Sequence, residues 1–139
     1  MPDTVLYTAE AVSTGDGRNG HVTSSDQRIN TDLAMPPEMG GTGSGSNPEQ
    51  LFAAGYAACF HGALRLVAGR QHTPLHDSTV TAQVGIGPEG EAFGLVVTLV
   101  IHVPGLDQEK VRELAEAAHQ VCPYSRATTG NISVELRVL

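Results

Sequence analysis

The chain has 139 residues, 40% of them hydrophobic, and fifteen acidic side chains against eight basic ones give a formal net charge of −7. That length allows one ordinary globular domain over residues 1–139, with a single core and little sequence to spare. The basic residues are scattered rather than gathered on one face, which argues against a nucleic-acid partner.

The start, Met1-Pro2-Asp3-Thr4, shows no basic region followed by an apolar run, so no secretory signal is expected. The reading is a cytoplasmic protein whose thiols rest reduced. Val5 to Ser13 predicts an extended segment, and Gly15-Asp16-Gly17-Arg18-Asn19-Gly20 has turn chemistry. A second strand through His21-Val22-Thr23-Ser24 closes a hairpin. Arg28 to Leu33 alternates and adds a third strand. The stretch from Met35 to Ser46 is too rich in Gly and Pro for regular structure and predicts a long ordered loop.

Asn47 suits an N-cap, Pro48 the first helical position and Gln50 a capping-box partner, so a helix is predicted to start here. From Leu51 to Leu66 small and apolar residues lie on nearly every side, which predicts burial all round. A domain this small has trouble wrapping such a helix, so an intertwined homodimer is the natural solution. Gly55, His61, Gly62 and Arg65 interrupt the segment, and no stretch is expected to serve as a membrane span of roughly 20 apolar residues.

Val80 to Ile86 alternates like a half-buried strand, and Pro88-Glu89-Gly90 turns the chain back. Leu95 to Val103 answers it as a nearly continuous apolar strand, predicted to be central. Asp107 caps a second helix with Val111, Leu114, Ala115 and Ala118 at helical spacing, and Pro123 stops it or starts a new turn. Ile132, Val134, Leu136 and Val138 alternate with polar residues in a last strand. The order βββ, α, ββ, α, β predicts an α+β fold with largely antiparallel sheets around a buried central helix.

Cys59 and Cys122 are the only cysteines. Cys59 lies in the apolar helix, where a cysteine commonly packs as a small hydrophobe. A reactive thiol there needs a nearby cation, because an ordinary thiol is mostly protonated at neutral pH. Arg18, on its glycine-rich turn, is the candidate cation, and its bland reading is a solvated turn residue. Glu49 suits the helix dipole without any other role, and its functional reading is a carboxylate that orients Arg18 by a bidentate contact. Cys122, just before Pro123, stands where the backbone N–H groups of a helical start favour a thiolate, as a resolving thiol requires.

Other motifs contribute little. The glycines from Gly40 to Gly45 lack the Gly-Lys-Ser/Thr ending of a phosphate cradle. His21, His61, His72, His76, His102 and His119 show no helical zinc-protease spacing, although the two cysteines with His61 and His119 leave a zinc site open. No nucleophile-elbow motif supports a hydrolase.

Taken together, Asn47 to Phe60, followed by Ala118-His119-Gln120-Val121-Cys122-Pro123-Tyr124-Ser125, resembles the organic hydroperoxide resistance proteins of the Ohr/OsmC family. Pro36-Pro37-Glu38-Met39-Gly40-Gly41, Gly17-Arg18-Asn19-Gly20, Pro104-Gly105-Leu106 and Gly130-Asn131-Ile132 fit the same family in the same order, so the resemblance covers essentially the whole chain. Thr129 departs from it, since many members carry arginine there.

The resemblance implies a thiol-dependent peroxidase that reduces organic hydroperoxides to alcohols. It implies no bound metal, haem or flavin, and a lipoyl-type dithiol, on a lipoylated protein or as dihydrolipoamide, as the reducing co-substrate. It also implies an intertwined homodimer with the long helix central. By the family pattern Cys59 is the peroxidatic cysteine, Cys122 the resolving one, Arg18 the thiolate-stabilising cation and Glu49 its carboxylate partner. Leu51, Phe52, Tyr56 and Phe60 are the candidate lining for an alkyl or aryl tail. A non-catalytic redox sensor and a zinc-binding stress protein are the alternative readings of the same cysteine pair.

Overall fold

The computed structural model describes every residue from Met1 to Leu139, in two compact units, Met1–Pro48 and Glu49–Leu139. The elements run βββ, α, ββ, α, α, β, the α+β order expected with one short helix added.

In the N-terminal unit β1 (Ala11–Thr14), β2 (His21–Ser24) and β3 (Asn30–Asp32) form an antiparallel sheet in that order. The β1–β2 connection passes through a 3-10 turn, Gly17–Asn19, and needs left-handed backbone at Gly15 and Gly17, with φ of 76° and 63°. The first and third strands are shorter than the alternating sequence predicts. Only the part of each that finds a hydrogen-bonded neighbour becomes strand, and Val5, Leu6 and Tyr7 stay exposed and outside the sheet. The Gly/Pro-rich segment is an ordered loop, as expected. Its ends are tied by Ala34 N–H to the Ser46 carbonyl at 2.9 Å and Ser46 N–H to the Asp32 carbonyl at 3.0 Å.

The C-terminal unit opens with α1 (Pro48–Arg70), which begins directly after Asn47 where the capping residues predict. The second sheet has the order β4 (Thr79–Glu89), β5 (Ala92–His102), β6 (Val134–Val138), with β5 central as predicted. The β4–β5 pair is antiparallel, whereas β6 lies parallel to β5, reached through α2 (Gln108–Val121) and α3 (Pro123–Thr128). A parallel return needs a crossover of that length. The expected turn at Pro88 falls later, because Pro88 and Glu89 remain paired with Phe93 and Ala92. On β4, an edge of this sheet, a residue without an N–H is tolerated.

The core of this unit joins Tyr56, Phe60, Leu64 and Val67 of α1 to Val97, Leu99 and Ile101 of β5 and to Val111, Leu114 and Ala118 of α2. Each large apolar side chain buried here contributes about 1.5–3 kcal/mol relative to exposure.

Within the single chain Tyr56, Phe60, Ala63, Leu64, Val67 and Ala68 face the core, while Ala54, Ala58, Gly62 and Leu66 are exposed, the side that the expected burial all round assigns to a second copy. Composition alone could not separate those faces, since both are apolar. One expectation about α1 needs correction: the interrupting residues do not make the segment too short or too polar for a span. Its 23 residues, with a mean hydropathy of 1.4 over an 18-residue window, are long and apolar enough to cross a membrane by length and composition. The few polar interruptions do not offset the alanine, leucine and phenylalanine around them, and the packing of its inner face against β5 and α2 is that of a core helix.

Candidate active site

Helical spacing puts Phe52, Gly55, Tyr56, Cys59, Phe60 and Ala63 along one face of α1, because positions three and four apart stack above one another. Cys59 is half-buried on that face.

Cys122 reaches the same place from the junction of α2 and α3. Its N–H still bonds the Ala118 carbonyl at 2.8 Å, closing α2, and its carbonyl accepts the Arg126 N–H at 3.0 Å, opening α3. Between the two helices Pro123 forces the preceding residue out of helical geometry, and Cys122 has φ −65° and ψ 122°. That break turns the fully buried Cys122 side chain toward α1, where its Sγ lies 3.4 Å from Cys59 Sγ, with both thiols reduced.

Burial pushes the Cys59 thiol above its ordinary value, the backbone N–H of Tyr124 donates to the sulfur and pulls the other way, and the neighbouring Cys122 adds to the rise. A nearby positive charge would act against that rise.

Tyr124 follows Cys122 by two residues in the first turn of α3, and its role was not anticipated from the sequence. Besides donating its N–H, it lays its ring over Gly55, where an added Cβ would stand 3.0 Å from the phenol oxygen. Its ring centroid is 5.7 Å from that of Tyr56 and 6.1 Å from that of Phe52, and Phe52 and Tyr56 meet edge to face at 6.0 Å. The signal available in the sequence was an aromatic residue in the turn opened by Cys122-Pro123, paired with a glycine one turn before Cys59.

The four proposed lining residues separate. Phe52 and Leu51 are half-buried, whereas Tyr56 and Phe60 are fully buried and offer no surface to a ligand in this conformation. The Tyr56 hydroxyl is engaged instead with Ser125 Oγ at 2.9 Å and Thr128 Oγ1 at 3.1 Å. Phe60 fills the core, with its ring centroid 6.5 Å from that of His119. Residues that looked like pocket lining because they are aromatic were recruited by the core because they are apolar.

Arg18 lies half-buried in the 3-10 turn Gly17–Asn19 of the N-terminal unit, and Glu49 half-buried in the first turn of α1. Ten positions of unbroken helix separate Glu49 from Cys59, roughly 15 Å along the axis, so the two cannot stand side by side in one α1. Thr129, where arginine was expected, donates its hydroxyl to the Ser125 carbonyl at 2.7 Å. His61 pairs with Ser78 at 2.8 Å and His119 with Ser125 at 2.7 Å, and no three His, Cys, Asp or Glu side chains come together as metal ligands.

Comparison with known proteins follows the same geometry. The profile of OsmC-like proteins matches residues 41–137. The organic hydroperoxide resistance protein of Xanthomonas axonopodis pv. citri is 52% identical over 137 residues, covering 97% of this chain and 96% of its own. Organic hydroperoxide resistance protein OhrB of Bacillus subtilis is 47% identical, covering 96% of this chain and 98% of its own. Among solved structures, the organic hydroperoxide resistance protein from Legionella pneumophila superposes with a TM-score of 0.92 at 48% identity, covering 97% of this chain and 98% of its own.

Proposed function

The chain belongs to the OsmC-like protein family, and from that premise we propose that it is a cysteine-based peroxidase that reduces organic hydroperoxides to alcohols. The observation that carries this reading is the pair of reduced sulfurs 3.4 Å apart, one half-buried and one fully buried. The names of its close relatives point to the same substrate class.

The Cys59 thiolate attacks one peroxide oxygen, the O–O bond breaks, the alkoxide leaves with a proton as alcohol, and the sulfur becomes a sulfenic acid. Cys122 attacks that sulfur, the S–O bond breaks, and water leaves as the disulfide forms. From 3.4 Å the sulfurs have only to close to a bond of about 2.05 Å. A lipoyl-type dithiol, free as dihydrolipoamide or carried on a protein, then restores both thiols by exchange. No bound cofactor enters the scheme. Regeneration by such a dithiol suits the cytoplasm.

Arg18 supplies the charge that offsets burial of Cys59, and Glu49 holds its guanidinium in a bidentate contact. The length of α1 between Glu49 and Cys59 favours a Glu49 given by a partner subunit. A homodimer also accounts for the exposed apolar side of α1, with Ala54, Ala58 and Leu66 covered by the second copy. Phe52 and Tyr124 present an aromatic wall beside Cys59, which favours hydroperoxides with alkyl or aryl tails over hydrogen peroxide.

A coupled assay with dihydrolipoamide, comparing cumene hydroperoxide, a fatty-acid hydroperoxide and hydrogen peroxide, tests the reading. Catalytic turnover with a preference for the organic substrates is expected. A protein that forms the disulfide once and is not turned over is a sensor, and that result overturns the proposal. Heterodimers of Cys59→Ser and Glu49→Ala protomers test the shared site. One intact site per heterodimer restores activity if Glu49 crosses the interface, and activity no higher than either parent rejects that arrangement.

A further inference from the structure

The elements that carry the two cysteines also carry a chain of hydroxyl and imidazole groups, buried but for the half-buried His119, that the peroxide chemistry leaves unused. Tyr56 Oη meets Ser125 Oγ at 2.9 Å and Thr128 Oγ1 at 3.1 Å, and Ser125 Oγ meets His119 Nδ1 at 2.7 Å. Tyr56 and Ser125 are fully buried, and no buried side-chain polar atom in the molecule lacks a partner. The chain spans three elements, with Tyr56 one turn before Cys59 on α1, His119 one turn before Cys122 on α2, and Ser125 on α3 one residue after Tyr124.

A satisfied buried network is either a neutral filler of the core or a device that fixes register, and its location distinguishes the two. Apolar side chains would fill this volume without the cost of burying hydroxyls. What the polar groups add is direction, because the Tyr56 bonds pin α3 to one azimuth on α1 and the His119 bond ties α2 to α3. Cys122 sits at the non-helical joint between those helices, so where its sulfur lies depends on how α2 and α3 are set on α1.

We propose that Tyr56, Ser125 and His119 are positioning residues whose hydrogen-bonded chain clamps the α2–α3 joint onto α1, and so sets the effective concentration of the Cys122 thiol at Cys59. The chain touches neither sulfur and transfers no proton to them. It acts on the step in which the S–S bond forms, by holding the attacking sulfur near its final geometry, the kind of advantage orientation gives any intramolecular reaction. The inference deepens the peroxidase reading and rests on it for the step that uses the disulfide.

The test uses the equilibrium between the Cys59–Cys122 disulfide and dithiothreitol in the whole protein, which requires no peroxide. Here the disulfide takes two electrons and two protons from the reagent, giving two protein thiols and oxidised dithiothreitol. Tyr56→Phe removes the two bonds made by the phenol and His119→Leu the bond to Ser125, and each is expected to shift the equilibrium about tenfold toward the dithiol, equal to about 30 mV. That is the order of one buried hydrogen bond. His119→Asn keeps a hydrogen-bonding atom near the Nδ1 position and is expected to stay within about twofold of the unsubstituted protein. Val67→Ala, a core substitution two turns beyond Cys59, lowers the melting temperature and is expected to leave the equilibrium unmoved. An unshifted equilibrium in both Tyr56→Phe and His119→Leu, or an equal shift in Val67→Ala, overturns the inference. Failure of the unsubstituted protein to consume organic hydroperoxide would instead strike the proposed function and leave the equilibrium result standing.

Discussion

The two units of this chain treat polar groups in opposite ways. In the N-terminal unit, buried Asn47 aside, the polar pairs lie at or near the surface, where His21 bonds Asp32 at 2.7 Å and Asn30 at 2.6 Å, and every residue of β1 is exposed. In the C-terminal unit Tyr56, Ser125 and Thr128 make their bonds inside a core of fifteen buried side chains. Surface pairs are screened and easily rearranged, whereas a buried bond cannot be traded for water without penalty. Side-chain distances are therefore held more firmly in the second unit than in the first.

The sharpest way to break this comparison is at the sulfurs. Cys59→Ser should abolish peroxide consumption, while Cys122→Ser should permit one turnover and leave Cys59 as sulfenic or higher oxide. Mass spectrometry after one equivalent of hydroperoxide reads both. Stoichiometric oxidation of Cys122 in the first variant, with Cys59 untouched in the second, would reverse the assignment.

A substitution in the N-terminal unit tests the electrostatic role proposed for Arg18. Arg18→Ala should slow the peroxide step about tenfold or more, since loss of an adjacent opposite charge changes a thiol's ionisation at least that much. Reduction of the disulfide by dithiol should be much less affected, and Arg18→Lys should rescue only in part, keeping the charge but losing the planar fork. The pH profile of Cys59 alkylation is the measurement, and the midpoint should rise in Arg18→Ala. An unmoved profile sinks the role.

Gly55→Ala probes the contact between α1 and the aromatic wall. Alanine gains about 1 kcal/mol of helix propensity over glycine, and a Cβ 3.0 Å from the Tyr124 phenol costs a comparable amount of overpacking. Stability should therefore change little while the ring is displaced. The expected signature is a higher KM for cumene hydroperoxide at a nearly constant melting temperature, and an unchanged KM would show that Tyr124 does not line the site.

The smallest effect concerns His119, whose pKa is lowered by burial. The unfolded chain takes up a proton near the ordinary value of about 6.5 while the folded chain resists it, so stability falls as pH drops through that value. His21 works the other way, because its hydrogen bond to Asp32 raises its pKa. Its contribution is present in acid and lost as pH rises through the folded value. Denaturant melts between pH 5 and 8 should lose less stability on acidification in His119→Asn than in the unsubstituted protein. Equal losses would mean that His119 carries no part of the dependence.

Sequence patterns determined the elements because they are local physics. The Asn47-Pro48 start of α1, the alternation of Val134, Leu136 and Val138, and the helical spacing of Val111, Leu114 and Ala118 each specify an element from within a few residues. The two cysteines were legible as a pair from their settings and from the family resemblance. Tertiary structure decided what depends on residues distant in the chain. The parallel placement of β6 on β5 follows from the crossover through α2 and α3, and the shortened β1 and β3 from which residues find a neighbour. Whether an aromatic residue on α1 lines a pocket or fills a core depends on what α2, α3 and β5 bring against it. Tyr56 and Phe60 went inside, and Tyr124, from nearly seventy residues away, took the open position beside Cys59. Burial is a property of that assembly, whereas periodicity is a property of a segment.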